Sequence, residues 1–168
     1  MLSRGFRLFV LASALLFSVF LITADRSQAQ DTAAAADEEK PYKIEADGTV
    51  DWSTFSGFRR FNSECFVCHG PDGVGSSFAP SLVDSLKTMP YEQFLEIVTN
   101  GKQEVNTAVQ KKMPAFGTNP NVMCYLDDIY AYLKARSDGV VGRGRPAKKQ
   151  AKSDEWTEAE AACMGATN

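Results

Sequence analysis

Two cysteines three positions apart, with a histidine directly behind the second, are the residues of this chain best suited to chemistry. They are Cys65, Cys68 and His69 in ECFVCHG, and His69 is the sole histidine of 168 residues. Three chemistries use such a group. A thioredoxin-type dithiol follows a strand in a βαβ unit, whereas here a helical pattern precedes the motif. A structural zinc site could draw on Cys65, Cys68, Cys124 and Cys163, but the sequence lacks a second closely spaced ligand pair. Covalent haem attachment needs what the motif offers. Thiols about one helical turn apart can each add to a vinyl group as a thioether, and the adjacent imidazole can bind iron. One haem c, attached through Cys65 and Cys68 with His69 as an axial ligand, is therefore the expectation.

With a single histidine, the sixth iron ligand must come from another residue type or be absent. Met113 in KKMPAFG lies 44 residues after His69, and Pro114 biases it toward extended backbone that can cross the far face of the ring. Met89 also precedes a proline, but it falls immediately before a helix and is more simply read as packing. Met123 and Met164 border cysteines and are read in the same way. The expected metal ligands are His69 and Met113.

The elements that must position these residues are helical. Asp51 is a good N-cap, and Phe55, Phe58, Phe61 and Cys65 recur on one helical face, predicting a helix over about 52–63. Glycine, proline and serine make 70–80 a loop, and PSL at 80–82 can start a short helix. Pro90 opens a second long helix that Asn100-Gly101 ends. NVMCYLDDIYAYLKARSDG reads as the last major helix, with Tyr125, Leu126, Ile129, Tyr132 and Leu133 on its buried side. GRGRPAKKQAK reads as irregular, and a short helix follows Ser153 with Trp156, Ala159 and Cys163 on one face. No segment shows strand alternation between turn signals, so the expected class is all-α.

Residues 1–29 have the layout of a secretory signal peptide: Arg4 and Arg7, an apolar run from Leu8 to Ile22, and Ser27-Gln28-Ala29 before the cut. The run is shorter than the roughly twenty residues of a spanning helix, so no stable membrane insertion is expected after cleavage. The expected location is the periplasm. Removing this segment leaves a formal charge of about −5, which argues against nucleic acid as a partner because phosphate binding needs a basic face. Residues 30–50 are alanine-rich and acidic and are read as a flexible lead-in.

The order SGFRRFNSECFVCHG, FAPSL, KKMPAFG and DIYAYLKA resembles a class I cytochrome c across about residues 51–137. The resemblance implies a few helices packed around one haem, with Gly57 and Phe61 of the first helix against Ile129 and Tyr132 of the last. It also implies that the carbonyl of Pro80 accepts the axial imidazole N–H. The chain departs from the larger mitochondrial type in having no tryptophan between the haem motif and Met113, which leaves the haem propionates without an assigned partner. YLKARSDGVVGRGRP and the late ACMG resemble, more narrowly, the four-cysteine periplasmic cytochromes associated with methanol metabolism and quinoprotein alcohol dehydrogenases.

If Cys65 and Cys68 hold haem, an oxidising compartment favours a disulfide between Cys124 and Cys163. Free thiols, or pairing of Cys163 between chains, are the other readings. An internal bond would tie residues 138–168, a basic extension, back to the haem domain.

The expected function is one-electron transfer without substrate catalysis. Its redox partners would be a quinoprotein alcohol dehydrogenase upstream and another cytochrome or an oxidase downstream. A peroxidase-like haem enzyme with a labile sixth ligand, or a haem subunit of a larger complex, are the alternatives. Lys111 and Lys112, with Arg143 and Arg145 in a stretch of seven basic residues from Lys134 to Lys152, are expected to steer the partner encounter.

Overall fold

Two helices that touch at the level of their backbones set the frame. In the computed structural model, which describes residues 40–105 and 110–165, α1 runs Trp52–Glu64 and α6 runs Leu126–Ser137. The expected signal peptide and the first ten residues of the lead-in, 30–39, lie outside the described residues. Asp51 starts α1 by accepting the Thr54 N–H at 2.6 Å, which satisfies one of the unpaired donors of the first turn. A Cβ at Gly57 would lie 1.8 Å from the Asp128 carbonyl oxygen and 2.9 Å from the Tyr132 Cβ. Only glycine permits that approach. Phe61 packs against Tyr132 beside it, with ring centroids 5.8 Å apart, and both side chains are fully buried.

Between these helices the chain forms α2 (Phe66–His69), a 3-10 turn at Pro71–Gly73, α3 (Leu82–Ser85) and α4 (Tyr91–Asn100). Ser81 caps α3 by accepting the Asp84 N–H at 3.1 Å. The mostly helical architecture agrees with the sequence reading, with two differences inside the core region.

The first difference is a two-stranded antiparallel hairpin, β1 (Lys102–Val105) and β2 (Gln110–Met113), which pairs Lys102 with Met113. Its side chains at Lys102, Gln103, Glu104 and Lys112 are exposed. With Met113 the one apolar side chain of the described strand residues packed against the core, the strands leave no alternation in the sequence. The second difference is a break in the last helix, which divides into α5 (Pro120–Met123) and α6 around a non-helical Tyr125. The break falls where the C-terminal region attaches: Cys124 is bonded to Cys163, and the Tyr125 hydroxyl donates to Glu160 at 2.6 Å.

Residues 40–50 are not the flexible lead-in that their composition suggests. Tyr42 and Val50 are buried, and the Tyr42 hydroxyl donates to Asp138 at 2.6 Å. Val50 pairs with Ile44 and, in parallel, with Lys149 of the extension, where the Gln150 N–H donates to the Val50 carbonyl at 2.9 Å. Composition undervalues this segment because much of its ordering comes from backbone pairing to residues about a hundred positions away.

The extension ends in α7 (Asp154–Gly165), where the Trp156 N–H bonds to Ser153 Oγ at 3.1 Å. Trp156 sits edge-on to Trp52 at 5.8 Å between centroids and 6.0 Å from Tyr125. No residue of α7 is buried, so the Cys124–Cys163 bond and these rim contacts hold it.

Two expectations follow. Replacing Cys124 and Cys163 together by serine should lower unfolding stability by about 4 kcal/mol, the loop-closure value for this spacing. Denaturant titration of the oxidised protein and the variant measures it, and coincident midpoints would refute the anchoring role. Gly57→Ala should cost about 3 kcal/mol, because backbone rather than a flexible side chain occupies the space. The same titration checks it.

Candidate cofactor site

The candidate site begins where α1 ends. Cys65 closes α1 with its N–H on the Phe61 carbonyl at 2.9 Å and opens α2, so CFVCH forms a single further turn. The His69 N–H bonds back to the Cys65 carbonyl at 3.0 Å, and the two thiols, three residues apart, share one side of that turn. Neither forms a disulfide. Burial, and then the Glu64 charge, push the Cys65 thiol up to about 12. The motif follows the helix α1 rather than a strand, so it lacks the βαβ setting of a thioredoxin-type dithiol. Among the described residues no three His, Cys, Asp or Glu side chains converge as a metal cluster, and the zinc reading loses Cys124 and Cys163 to their disulfide.

His69 is buried, and its Nδ1–H donates to the Pro80 carbonyl oxygen at 3.1 Å. A carbonyl only accepts, so Nδ1 carries the proton and Nε2 keeps its lone pair for a metal. Burial lowers the imidazole pKa, with the Pro80 bond acting in the opposite sense, so the ring is neutral at pH 7. The bond is built by a loop that folds back on itself. The Gly75 N–H meets the His69 carbonyl at 2.8 Å, Ser76 Oγ donates to the Cys68 carbonyl at 2.5 Å, and the Ser76 N–H meets the Ala79 carbonyl at 2.9 Å. At Gly70, with φ of +71°, a Cβ would lie 2.3 Å from the Gly75 carbonyl oxygen.

Met113 ends β2 and is half-buried against the core. The backbone after it is pinned to the end of α4, with the Phe116 N–H on the Val98 carbonyl at 2.9 Å and the Gly117 N–H on the Thr99 carbonyl at 3.0 Å. A Cβ at Gly101 would lie 2.7 Å from the Met113 carbonyl oxygen. Met89 is also half-buried against the core, with its N–H on the Ser85 carbonyl at 3.0 Å. Leu82, Leu95 and Phe116 are further partly open apolar side chains at the core edge, and Val67 and Phe78 near the motif are 79% and 73% exposed. Two unbonded thiols on one turn, a neutral imidazole with an available Nε2 and uncovered apolar surface fit a flat, largely apolar, iron-bearing macrocycle.

The basic extension is largely occupied within the molecule. Arg143 Nε bonds to Asp72 at 3.0 Å, Lys148 pairs with Asp47 at 3.0 Å, and Lys152 pairs with Glu160 at 2.5 Å. Lys134 pairs with Asp138, the Arg145 guanidinium lies 5.1 Å from the Phe55 ring centroid, and the Lys149 ammonium lies 4.7 Å from that of Trp52. Arg143 and Arg145 therefore have structural partners that a count of charges cannot show. Sequence reasoning also missed Asp72, because PDG reads as an ordinary turn. Asp72 is buried at φ of +58° and accepts from both Arg143 and the Gly144 N–H, the latter at 2.8 Å. Burial pushes its pKa up, but these bonds and the nearby arginine charges outweigh it and hold the carboxyl below its ordinary value. No helix among the described residues is long and apolar enough to cross a membrane.

Comparison with known proteins converges on the same chemistry. A family model described as cytochrome c oxidase, cbb3-type, subunit III, matches residues 54–133. Cytochrome c-553I of Paracoccus denitrificans is 60% identical over 129 residues, a match covering 77% of this chain and 57% of that protein. The chain thus spans little more than half of that relative. Cytochrome c-555 of Methylococcus capsulatus (strain Bath) is 39% identical over 102 residues, covering 60% of this chain and 76% of that protein. The crystal structure of the c-type cytochrome XoxG from Methylobacterium extorquens AM1 superposes with a TM-score of 0.63 at 45% identity, covering 79% of this chain and 87% of that one. With its C-x-x-C-H turn, its buried imidazole on a proline carbonyl and these relatives, the chain belongs to the c-type cytochromes.

Proposed function

We propose that this chain is a periplasmic carrier of single electrons, holding one haem c through thioethers from Cys65 and Cys68, with His69 and Met113 as axial ligands. The observation that carries the reading is the 3.1 Å bond from His69 Nδ1 to Pro80, closed within the C-x-x-C-H loop beside two unpaired thiols. The bound haem supplies one-electron chemistry between Fe(III) and Fe(II). The Pro80 carbonyl fixes the plane of the imidazole and raises the basicity of Nε2. β2 and the pinned segment 114–117 hold the Met113 backbone on both sides, which favours Met113 over Met89 as the thioether ligand. With His69 and Met113 both committed to the iron, the chain would leave no open position for a substrate and would act as a carrier rather than an enzyme.

The proposed electron donor is a quinoprotein alcohol dehydrogenase of methanol metabolism, and the acceptor is another cytochrome or an oxidase. This finer reading is supported by the segment YLKARSDGVVGRGRP and by the likeness to XoxG. The expected signal peptide at 1–29 supports the periplasm as the location. The description of the matching family model favours a second reading, in which the chain is a subunit of a larger redox complex. Stable co-purification with an oxidase would select it.

Met113→Ala should remove the thioether ligand, lower the reduction potential and let carbon monoxide bind the reduced holoprotein, whereas Met89→Ala should do none of these. The opposite pattern would reassign the ligand. Purified holoprotein should be reduced by a quinoprotein alcohol dehydrogenase at a rate that falls with added salt, and Lys111→Glu with Lys112→Glu should slow it about tenfold at low ionic strength. Stopped-flow reduction measures both. Absence of reduction by any such dehydrogenase would remove the proposed donor.

A further inference from the structure

The C-terminal extension reaches back to the loop that carries His69. Asp72 stands three residues beyond His69 and ahead of Pro80, the two ends of the imidazole's hydrogen bond. Its two carboxylate oxygens are held from outside the loop, Oδ2 by Arg143 Nε and Oδ1 by the Gly144 N–H. Both donors lie more than seventy positions downstream. Asp72 is the described non-glycine residue with positive φ, a conformation that aspartate tolerates at some cost and that here persists under two tertiary bonds.

The loop transmits position because its backbone is in contact with itself. Besides the Gly70 approach to Gly75, a Cβ on Gly75 would lie 2.7 Å from the Ser81 N and 3.1 Å from the Pro80 carbonyl carbon. A Cβ on Gly73 would lie 2.9 Å from Leu133 Cδ2 on α6. A shift at Asp72 therefore meets the strands of the loop that present His69 and Pro80. The outer end of the brace is fixed as well. Arg136 Nη1 donates to the Val141 carbonyl at 2.7 Å, and the Val140 N–H to the Ala135 carbonyl at 3.1 Å, so residues 140–141 are tied to α6 just before Arg143.

We infer that Asp72 is a positioning residue for the axial imidazole, and that the extension, through Arg143 and Gly144, sets how firmly the His69–Pro80 bond is held. The inference rests on the proposed ligation by His69. As a contribution to stability the Asp72–Arg143 pair is minor, since the Arg143 side chain is 68% exposed. The bond from the Gly144 N–H to a buried carboxylate is the stronger element, and its consequence is local geometry. A purely structural role, fastening the extension, would leave the imidazole proton indifferent to Asp72.

NMR of the reduced and oxidised holoprotein tests this, using hydrogen exchange at His69 Nδ1 normalised to the core amides of α6, together with the reduction potential. Asp72→Ala should speed Nδ1 exchange about tenfold relative to α6 and raise the potential as the imidazole loses basicity. Asp72→Asn, which keeps an acceptor for the Gly144 N–H, should recover most of the exchange protection. The variant with Cys124 and Cys163 both replaced by serine loosens α7 without touching Asp72 and should leave Nδ1 exchange as in the parent protein. If Asp72→Ala yields no holoprotein, Arg143→Ala decides by the same normalised exchange. Unchanged exchange in Asp72→Ala, or in Arg143→Ala when it stands in, overturns the inference, as does equal acceleration in the cysteine variant. If the His69 ring protons of the oxidised protein show no hyperfine shift, the ligation reading itself fails.

Discussion

The contact of Gly57 with the Asp128 carbonyl and Tyr132 is the constraint on which the rest of the molecule depends. Because the two backbones meet, α1 and α6 are locked in both spacing and register, and the direction in which α1 ends is no longer adjustable. That end is where Cys65, Cys68 and His69 stand. α6 in turn supplies Leu133 beneath Gly73 and Ala135 as the acceptor for Val140 and Val141, so one crossing orients both the thiol turn and the segment that returns to it. The fully buried Phe61 and Tyr132 add about 2 kcal/mol each of apolar burial. The absence of a side chain at Gly57 is what lets them meet.

The cost of this close packing appears in the polar groups it traps. Asp128 is buried on α6; burial raises its pKa, against hydrogen bonds from Ser56, Ser53 and Trp156. Its Oδ2 is buried without a hydrogen-bond partner among the described residues. By the linkage rule, a carboxyl with a raised folded pKa destabilises the fold when ionised, and that cost is relieved as pH falls through the folded value. Asp72 works with the opposite sign: its stabilisation is present at neutral pH and lost in acid. As pH falls, the helix crossing is therefore relieved first, and the attachment of the extension weakens only in stronger acid, below the ordinary carboxylate range.

What was legible in the sequence was what is encoded locally. The C-x-x-C-H turn needs a fixed spacing, the Asp51 and Ser153 caps act within three residues, and the apolar faces of α1, α4 and α6 carry the helical period. The mostly helical fold followed from these. Features whose partners are remote were not legible. Among the described side chains of β1 and β2, Lys102, Gln103, Glu104 and Lys112 are exposed, so little core contact writes a period into KQEV or QKKM. Val50 is ordered by Lys148 and Gln150, and Asp72 by Arg143 and Gly144. In each case one member of the pair looks unremarkable until the other is beside it. The basic extension misled for a related reason, since composition counts charges without regard to Asp47, Asp72 and Glu160 opposite them.

The parallel bridge between Val50 and Lys149 joins the stretch just before α1 to the stretch just before α7. If the chain is exported amino end first, as proposed, Cys65 and Cys68 emerge long before Gly144 or Lys149. Until then Val50 has only its local partner Ile44, α1 has no α6, and Asp72 lacks the donors of Arg143 and Gly144. The thiols would thus arrive first, and the residues that brace the neighbouring loop at Asp72 would arrive last. Under the proposed export and attachment, synthesis order alone would provide an interval in which the covalent group is fitted before the extension braces the loop.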